Sequence, residues 1–180
     1  MNECRFENKR MPKLLDIIEV SSKKSHPNCF QCENYTIDDG YYWTKEGDYD
    51  SAHLVNIIDT PDSLWEPDCS STYGVKDRVE GCNMDELEDS LYLITPTSLE
   101  IIVQTEGFEY PKPKVRAYFK YNEKTYLFSV TDRSIENSYK AKGIGAYPFE
   151  NTENRIFMCV SIGLPWNNYC YKFVASIIAI

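Results

Sequence analysis

From residue 99 to residue 178, short runs rich in β-branched and aromatic residues alternate with turn residues, and a single stretch among them is helical in character. That ordering constrains the fold more than any other feature of the chain. Residues 99–106 read as a strand, and 113–121 as a second. The turn Asn122-Glu123-Lys124 leads into a third strand at 125–131. Residues 134–142 read as a helix ended by Gly143, a natural position for a left-handed residue. Two more strands, 156–162 and 171–178, flank the turn Gly163-Leu164-Pro165-Trp166-Asn167-Asn168. Three strands, a helix and two strands is the element order of an OB-fold, a five-stranded barrel with its helix between strands three and four. A small α+β sheet would give the same string.

The first half is less regular. Residues 14–20 read as a buried strand. Asp50 or Ser51 is placed to cap a turn or two through Ala52, Leu54, Val55 and Ile58. Asn83 followed by Glu86 has capping-box spacing, with Leu87 and Leu91 on one side. Residues 61–81, punctuated by Pro61, Pro67, Ser70, Ser71, Gly74 and Gly81, read as a long ordered loop. The expected division is an N-terminal region, 1–92, and a C-terminal barrel, 93–180.

Composition narrows the class. At 180 residues, 42% hydrophobic and 14% aromatic, the chain can bury a core and is not a disordered polymer. It has no apolar run long enough for a membrane span. Its first fifteen residues carry Glu3, Arg5, Glu7, Lys9 and Arg10 in place of a signal peptide's apolar stretch, so the expectation is a cytoplasmic chain without a membrane partner. Seven cysteines, an odd number, read as reduced thiols. Residues 1–105 hold 9 Lys/Arg against 21 Asp/Glu, a balance of −12, whereas residues 106–180 hold 10 against 7, a balance of +3. A uniform nucleic-acid coat is excluded at a pI near 4.8, so any such site is local.

The local candidate is residues 112–121. On a strand, alternate residues share a face, which groups Lys112, Lys114, Arg116, Tyr118 and Lys120 opposite Pro113, Val115, Ala117, Phe119 and Tyr121. Cations beside an aromatic ring on strand two of an OB barrel suit the phosphates and stacked bases of single-stranded nucleic acid. The plainer reading is a solvated strand whose lysines prevent edge pairing. A second, looser cluster, Ser70, Ser71, Lys76 and Arg78, could hold an anion; equally, Asp77 and Arg78 could be a surface pair. His26, Cys29 and Cys32 supply three soft ligands where structural zinc wants four, so no metal is expected and Cys29 and Cys32 are the candidates if there is one. No cofactor is expected. Neither His26 nor His53 sits in a nucleophile motif, and Gly143-Ile144-Gly145 lacks the strand and helix of a phosphate loop.

Several segments in order carry a family likeness: Gln31-Cys32-Glu33-Asn34-Tyr35, Tyr41-Tyr42-Trp43, Leu64-Trp65, Ser70-Ser71, Gly74, Asp77-Arg78-Val79, Val130-Thr131-Asp132 and Val160-Ser161-Ile162-Gly163-x-Pro165. The series closes with Asn168-Tyr169-Cys170-Tyr171-Lys172-Phe173-Val174-Ala175, its most specific part. From about Leu14 to Ile178 the chain resembles the bacterial dual OB-containing domain proteins. The resemblance implies two OB-like barrels, nucleic-acid or nucleotide recognition, and a place in prokaryotic conflict and defence loci. Members usually begin with further strands and a Cys/Gly/Arg-containing motif, whereas only residues 1–13 precede the match here, which leaves the first barrel open to being incomplete or rebuilt. Lys76 stands where members tend to have Asn, and Leu164 where they tend to have Glu.

The expectation is therefore a β-rich chain, all-β to α+β, with two OB-like barrels and a non-enzymatic binding role for single-stranded nucleic acid or a nucleotide. The alternative is an acidic interaction subunit or inhibitor that docks on a basic protein partner through the first half, with Asp85, Glu86, Glu88 and Asp89 as its acidic face. An enzyme acting on nucleotides would have only the Asp77–Arg78 loop and Asp132 to draw on for acid–base work.

Overall fold

In the computed structural model, which describes residues 6–81, 87, 89–149 and 155–180, the chain divides into two units, Met1–Ile57 and Ile58–Ile180. The expected boundary at 92/93 falls later. Residues 58–92 group with the C-terminal unit because two of their strands are hydrogen-bonded into its sheet.

The N-terminal unit is built from short pieces. Strands β1 (Asp16–Glu19) and β4 (Thr44–Asp48) form one antiparallel pair, and β2 (Ser22–Ser25) and β3 (Tyr35–Ile37) form another. A 3₁₀ turn, Ser51–Asn56, follows, with Asp50 as its cap: the Asp50 carboxylate accepts from Ala52 N–H at 2.9 Å. Phe6, Phe30 and Leu54 are the buried hydrophobic residues among those described here. The strand expected to be buried at 14–20 is only half covered, with Leu14 60% and Ile17 45% exposed, in a sheet of two strands. The described residues of this unit hold two two-stranded sheets rather than a five-stranded barrel.

The C-terminal unit forms one curled sheet. Its strands are β5 (Asp68–Cys69), β6 (Arg78–Glu80), β7 (Leu91–Ile94), β8 (Ser98–Glu106), β9 (Lys112–Tyr121), β10 (Lys124–Val130), β11 (Gly145–Pro148), β12 (Ile156–Ile162) and β13 (Tyr169–Ala179). The hydrogen-bonded order is β11-β8-β9-β10-β13-β12-β7, with β6 against β13 and β5 against β6. The path returns on itself, because β7 and β8 are consecutive, separated only by residues 95–97. Together β7 and β8 act as strand one of an OB barrel, and β9, β10, β12 and β13 as strands two to five. The pairing of strands three and five, β10 with β13, is parallel, as this topology requires.

Local chemistry explains the joints. Asn122 and Glu123 both adopt positive φ, 45° and 60°, making the tight two-residue hairpin between β9 and β10. Helix α1 (Arg133–Lys140) starts at Asp132, whose carboxylate accepts from the N–H of Ser134 and Ile135 at 2.9 and 3.2 Å, and Gly143 follows its end at φ 91°. The barrel interior is filled by Ile101, Val103, Val115, Ala117, Phe119, Tyr126, Phe128, Val160, Ile162 and Val174, each at most 1% exposed. Phe119 stacks on Tyr126 at 5.3 Å and meets Phe128 edge-on at 5.2 Å. The capping box at Asn83–Glu86 lies outside the described residues. No helix among those described is long and apolar enough to cross a membrane.

A candidate nucleotide-binding face on the second strand

Strand β9 divides its two faces as the alternation requires. Val115, Ala117, Phe119 and Tyr121 point into the barrel, while Lys112, Lys114 and Lys120 are exposed on the other side. Arg116 lies on that outer face too, yet is only 7% exposed. Its guanidinium is held on three sides. It donates to Glu106 through Nε at 2.6 Å and Nη2 at 3.1 Å, and to the Asp77 Oδ2 through Nη1 at 3.2 Å. Such a paired, desolvated arginine is a structural clasp rather than a free phosphate ligand. Burial works to raise the Glu106 carboxyl, but hydrogen bonds from Arg116 and Gln104 outweigh it and hold that group below the usual carboxylate range.

Asp77 fastens the loop between β5 and β6 to this clasp. Its carboxylate accepts from Ser71 N–H at 2.7 Å and from the Ser71 hydroxyl at 2.6 Å. Gly74 makes room for it, since a Cβ there would stand 1.9 Å from Asp77 Oδ2. The expected anion loop is therefore engaged with itself. The Ser70 hydroxyl accepts from Lys76 N–H at 3.0 Å, and Lys76 Nζ pairs with Asp68 at 2.9 Å. Arg78 donates to Ser70 O at 3.1 Å and lies 3.8 Å over the Tyr169 ring. Asp77 and Arg78 do not pair with each other; each is taken by a different partner.

A second cation is buried beside Asp68. Lys172 is 1% exposed, its Nζ 3.6 Å from Asp68 Oδ2 and 5.8 Å from the Phe128 ring centre. Burial pushes its ammonium down to about 8, against the pull of Asp68.

A cavity of about 650 Å³ opens on the outer face of β9, over the Arg116 clasp. Lys112 and Lys114 line it, joined by Tyr73, Tyr110, Trp166 and Tyr171. Tyr110 comes from the loop between β8 and β9, and Trp166 from the turn between β12 and β13. These are the two loops with which OB barrels commonly hold ligands. Tyr110 is 77% and Trp166 66% exposed. The first loop is bent by Gly107 at φ 104°, where a Cβ would meet Tyr110 O at 2.9 Å, and Gly107 N–H donates to the Tyr73 hydroxyl at 3.3 Å. Neither Lys112 nor Lys114 makes an ion pair among the described residues.

The family model of the dual OB-containing domain matches residues 1–177 of the chain. The chain belongs to this family. Comparison with curated proteins and with solved structures finds no match. As a dual OB-containing domain protein it carries the β-rich fold expected of it, and OB-folds generally bind nucleic acids, oligosaccharides or proteins.

Of the five residues expected on the binding face, the structure brings Lys112 and Lys114 to the cavity and buries Arg116 beneath it. Tyr118 is half-buried on the same strand face, and Lys120 is exposed; neither lines the cavity. Tyr110 and Trp166 were missed as site residues, although a large aromatic inside a turn of Gly, Pro and Asn residues is a usable sign of an exposed contact. Cys29 and Cys32 are both exposed free thiols. Among the described residues no three His, Cys, Asp or Glu side chains gather as a metal site. Of the proposed acidic docking face, Asp85, Glu86 and Glu88 lie outside the described residues.

Proposed function

We propose that this dual OB-containing domain protein is a non-enzymatic, cytoplasmic module of a prokaryotic defence-associated system, and that it binds single-stranded nucleic acid or a nucleotide on the outer face of β9. The observation that carries the reading is the coincidence of two unpaired lysines, Lys112 and Lys114, with a cavity rimmed by exposed aromatics from both neighbouring loops. Lysines answer the phosphates, and Tyr110 and Trp166 offer faces on which a base stacks. The Arg116–Glu106–Asp77 clasp fixes the floor against which these groups stand.

Fluorescence anisotropy of the chain with labelled single-stranded DNA and RNA, at low and at physiological salt, tests the proposal. Micromolar binding that weakens as salt rises is expected, and the nucleic acid is recovered unchanged. The double variant K112E/K114E weakens binding and flattens its salt dependence. Unchanged affinity in that variant removes β9 from the function.

A further inference from the structure

We infer that the β9 cavity takes a one- or two-base nucleotide unit, its phosphates on Lys112 and Lys114 and its base against Trp166 and Tyr110, and not a long run of strand laid across the barrel. The inference rests on the nucleotide-binding reading above and narrows its ligand. Three observations lead to it.

The first is the shortage of free cations. Four cations of the outer face of β9 could have formed a track for a polyanion, but Arg116 is consumed by Glu106 and Asp77, and Lys120 lies off the cavity. What remains is Lys112 and Lys114, with Cα positions roughly 7 Å apart on one strand face. The floor beneath sets the Glu106 and Asp77 carboxylates against the Arg116 guanidinium and the buried Lys172 ammonium, which leaves no spare positive charge for a further phosphate.

Shape is the second. At about 650 Å³ the cavity, which opens to solvent, is of the size that holds a single small ligand. OB barrels that track strands instead engage roughly 4–16 nucleotides along a longer groove. Here the loop carrying Tyr110 and the turn carrying Trp166 stand at the rim, so bases are received locally.

The third is the placement of the aromatics. Trp166 leans on Tyr171, ring centres 6.1 Å apart and planes at 55°, and Tyr171 in turn meets Tyr169 at 6.3 Å. This gives the exposed Trp166 a supported back and one free face. Tyr110 supplies the other exposed ring at the cavity. Two rings suit one or two bases, and two lysines suit one or two phosphates.

The same unit could be offered as a free dinucleotide or as the end of a strand, and the experiment separates these. Binding of the full chain is measured for a 5′-phosphorylated thymidine dinucleotide, a linear fifteen-nucleotide thymidine strand, and that strand circularised. The inference expects the linear strand to bind no more than roughly tenfold tighter than the dinucleotide, with a slope of log affinity against log salt near −1.4, two phosphates' worth. A circular strand as good as the linear one means the unit is also read internally, and a silent circle means it is read at an end; both agree with the inference. The variant W166A costs the dinucleotide roughly tenfold or more in affinity. A linear strand more than a hundredfold tighter than the dinucleotide, with a slope of −3 or steeper, overturns the inference while leaving nucleic-acid binding intact. Silence from all three probes overturns the underlying reading as well.

Discussion

The two units of this chain have similar strand-forming residues but very different interiors. In the C-terminal unit, the long strands turn one face to a barrel core, so Phe119, Tyr126, Phe128 and Ile101 are fully covered. In the N-terminal unit the strands are three to five residues long, pair only two by two, and leave Ile17 and Tyr35 in solvent. The contrast shows what a large curled sheet contributes: β8, β9, β10, β12 and β13 each have neighbours on both sides, whereas each strand of a lone pair has one. A binding face that must hold groups in fixed positions belongs on the first kind of scaffold.

Core truncation should separate the units most strongly. Phe119→Ala is expected to cost about 3–5 kcal/mol, and Leu54→Ala nearer 2 kcal/mol, the low end for such a change, because few buried neighbours surround Leu54. Denaturant unfolding together with native-state hydrogen exchange measures both, and β8–β10 amides should outlast those of β1–β4. Equal losses would break the comparison. Next come the ties that hold local structure. Asp77→Ala strips Ser71 of its acceptor and Arg116 of one carboxylate, an expected loss of about 3 kcal/mol. Its counterpart in the other unit, Asp50→Ala, removes a single cap and should cost about 1 kcal/mol.

A pH-dependent difference follows from Lys172, which faces Asp68, Lys76 and Asp77. Burial holds its pKa in the fold at about 8, below the ordinary lysine value of 10.5. Between those values the unfolded chain binds the proton and the folded chain does not, so stability rises with pH across that window, by at most roughly 3 kcal/mol. Taking the difference between wild type and Lys172→Met cancels the tyrosines that titrate nearby; a difference that stays flat from pH 8 to 10.5 would contradict the burial of this ammonium. The smallest effect is expected at the face itself. K112E/K114E should leave stability within about 0.5 kcal/mol, since both side chains are exposed and unpaired, and a large loss would mean they hold the fold instead.

The barrel was legible in the sequence because its joints are local. Asn122-Glu123, Asp132 and Gly143 announce a hairpin, a cap and a helix end within a few residues of one another. Strands β7 and β11 escaped notice for want of such cues: 91–94 is four apolar residues without alternation, and Gly145–Pro148 begins with a glycine and ends with a proline. The site was half legible. Alternation along β9 put the right residues on one face, but Arg116 meets Asp77 from 39 positions away, and nothing near either residue advertises the partner. The same long-range pairing quieted the loop at 70–78, whose serines and lysine read as an anion site until the carboxylates of Asp68 and Asp77 are seen among them.

The central claim is that ligand recognition resides on the outer face of β9 and its two loops. The most direct measurement is hydrogen exchange of the chain with and without saturating phosphorylated thymidine dinucleotide. The account predicts added protection at residues 107–116 and 163–173, with 6–57 unchanged. Protection confined to 6–57, or none at a concentration where anisotropy reports binding, would contradict it.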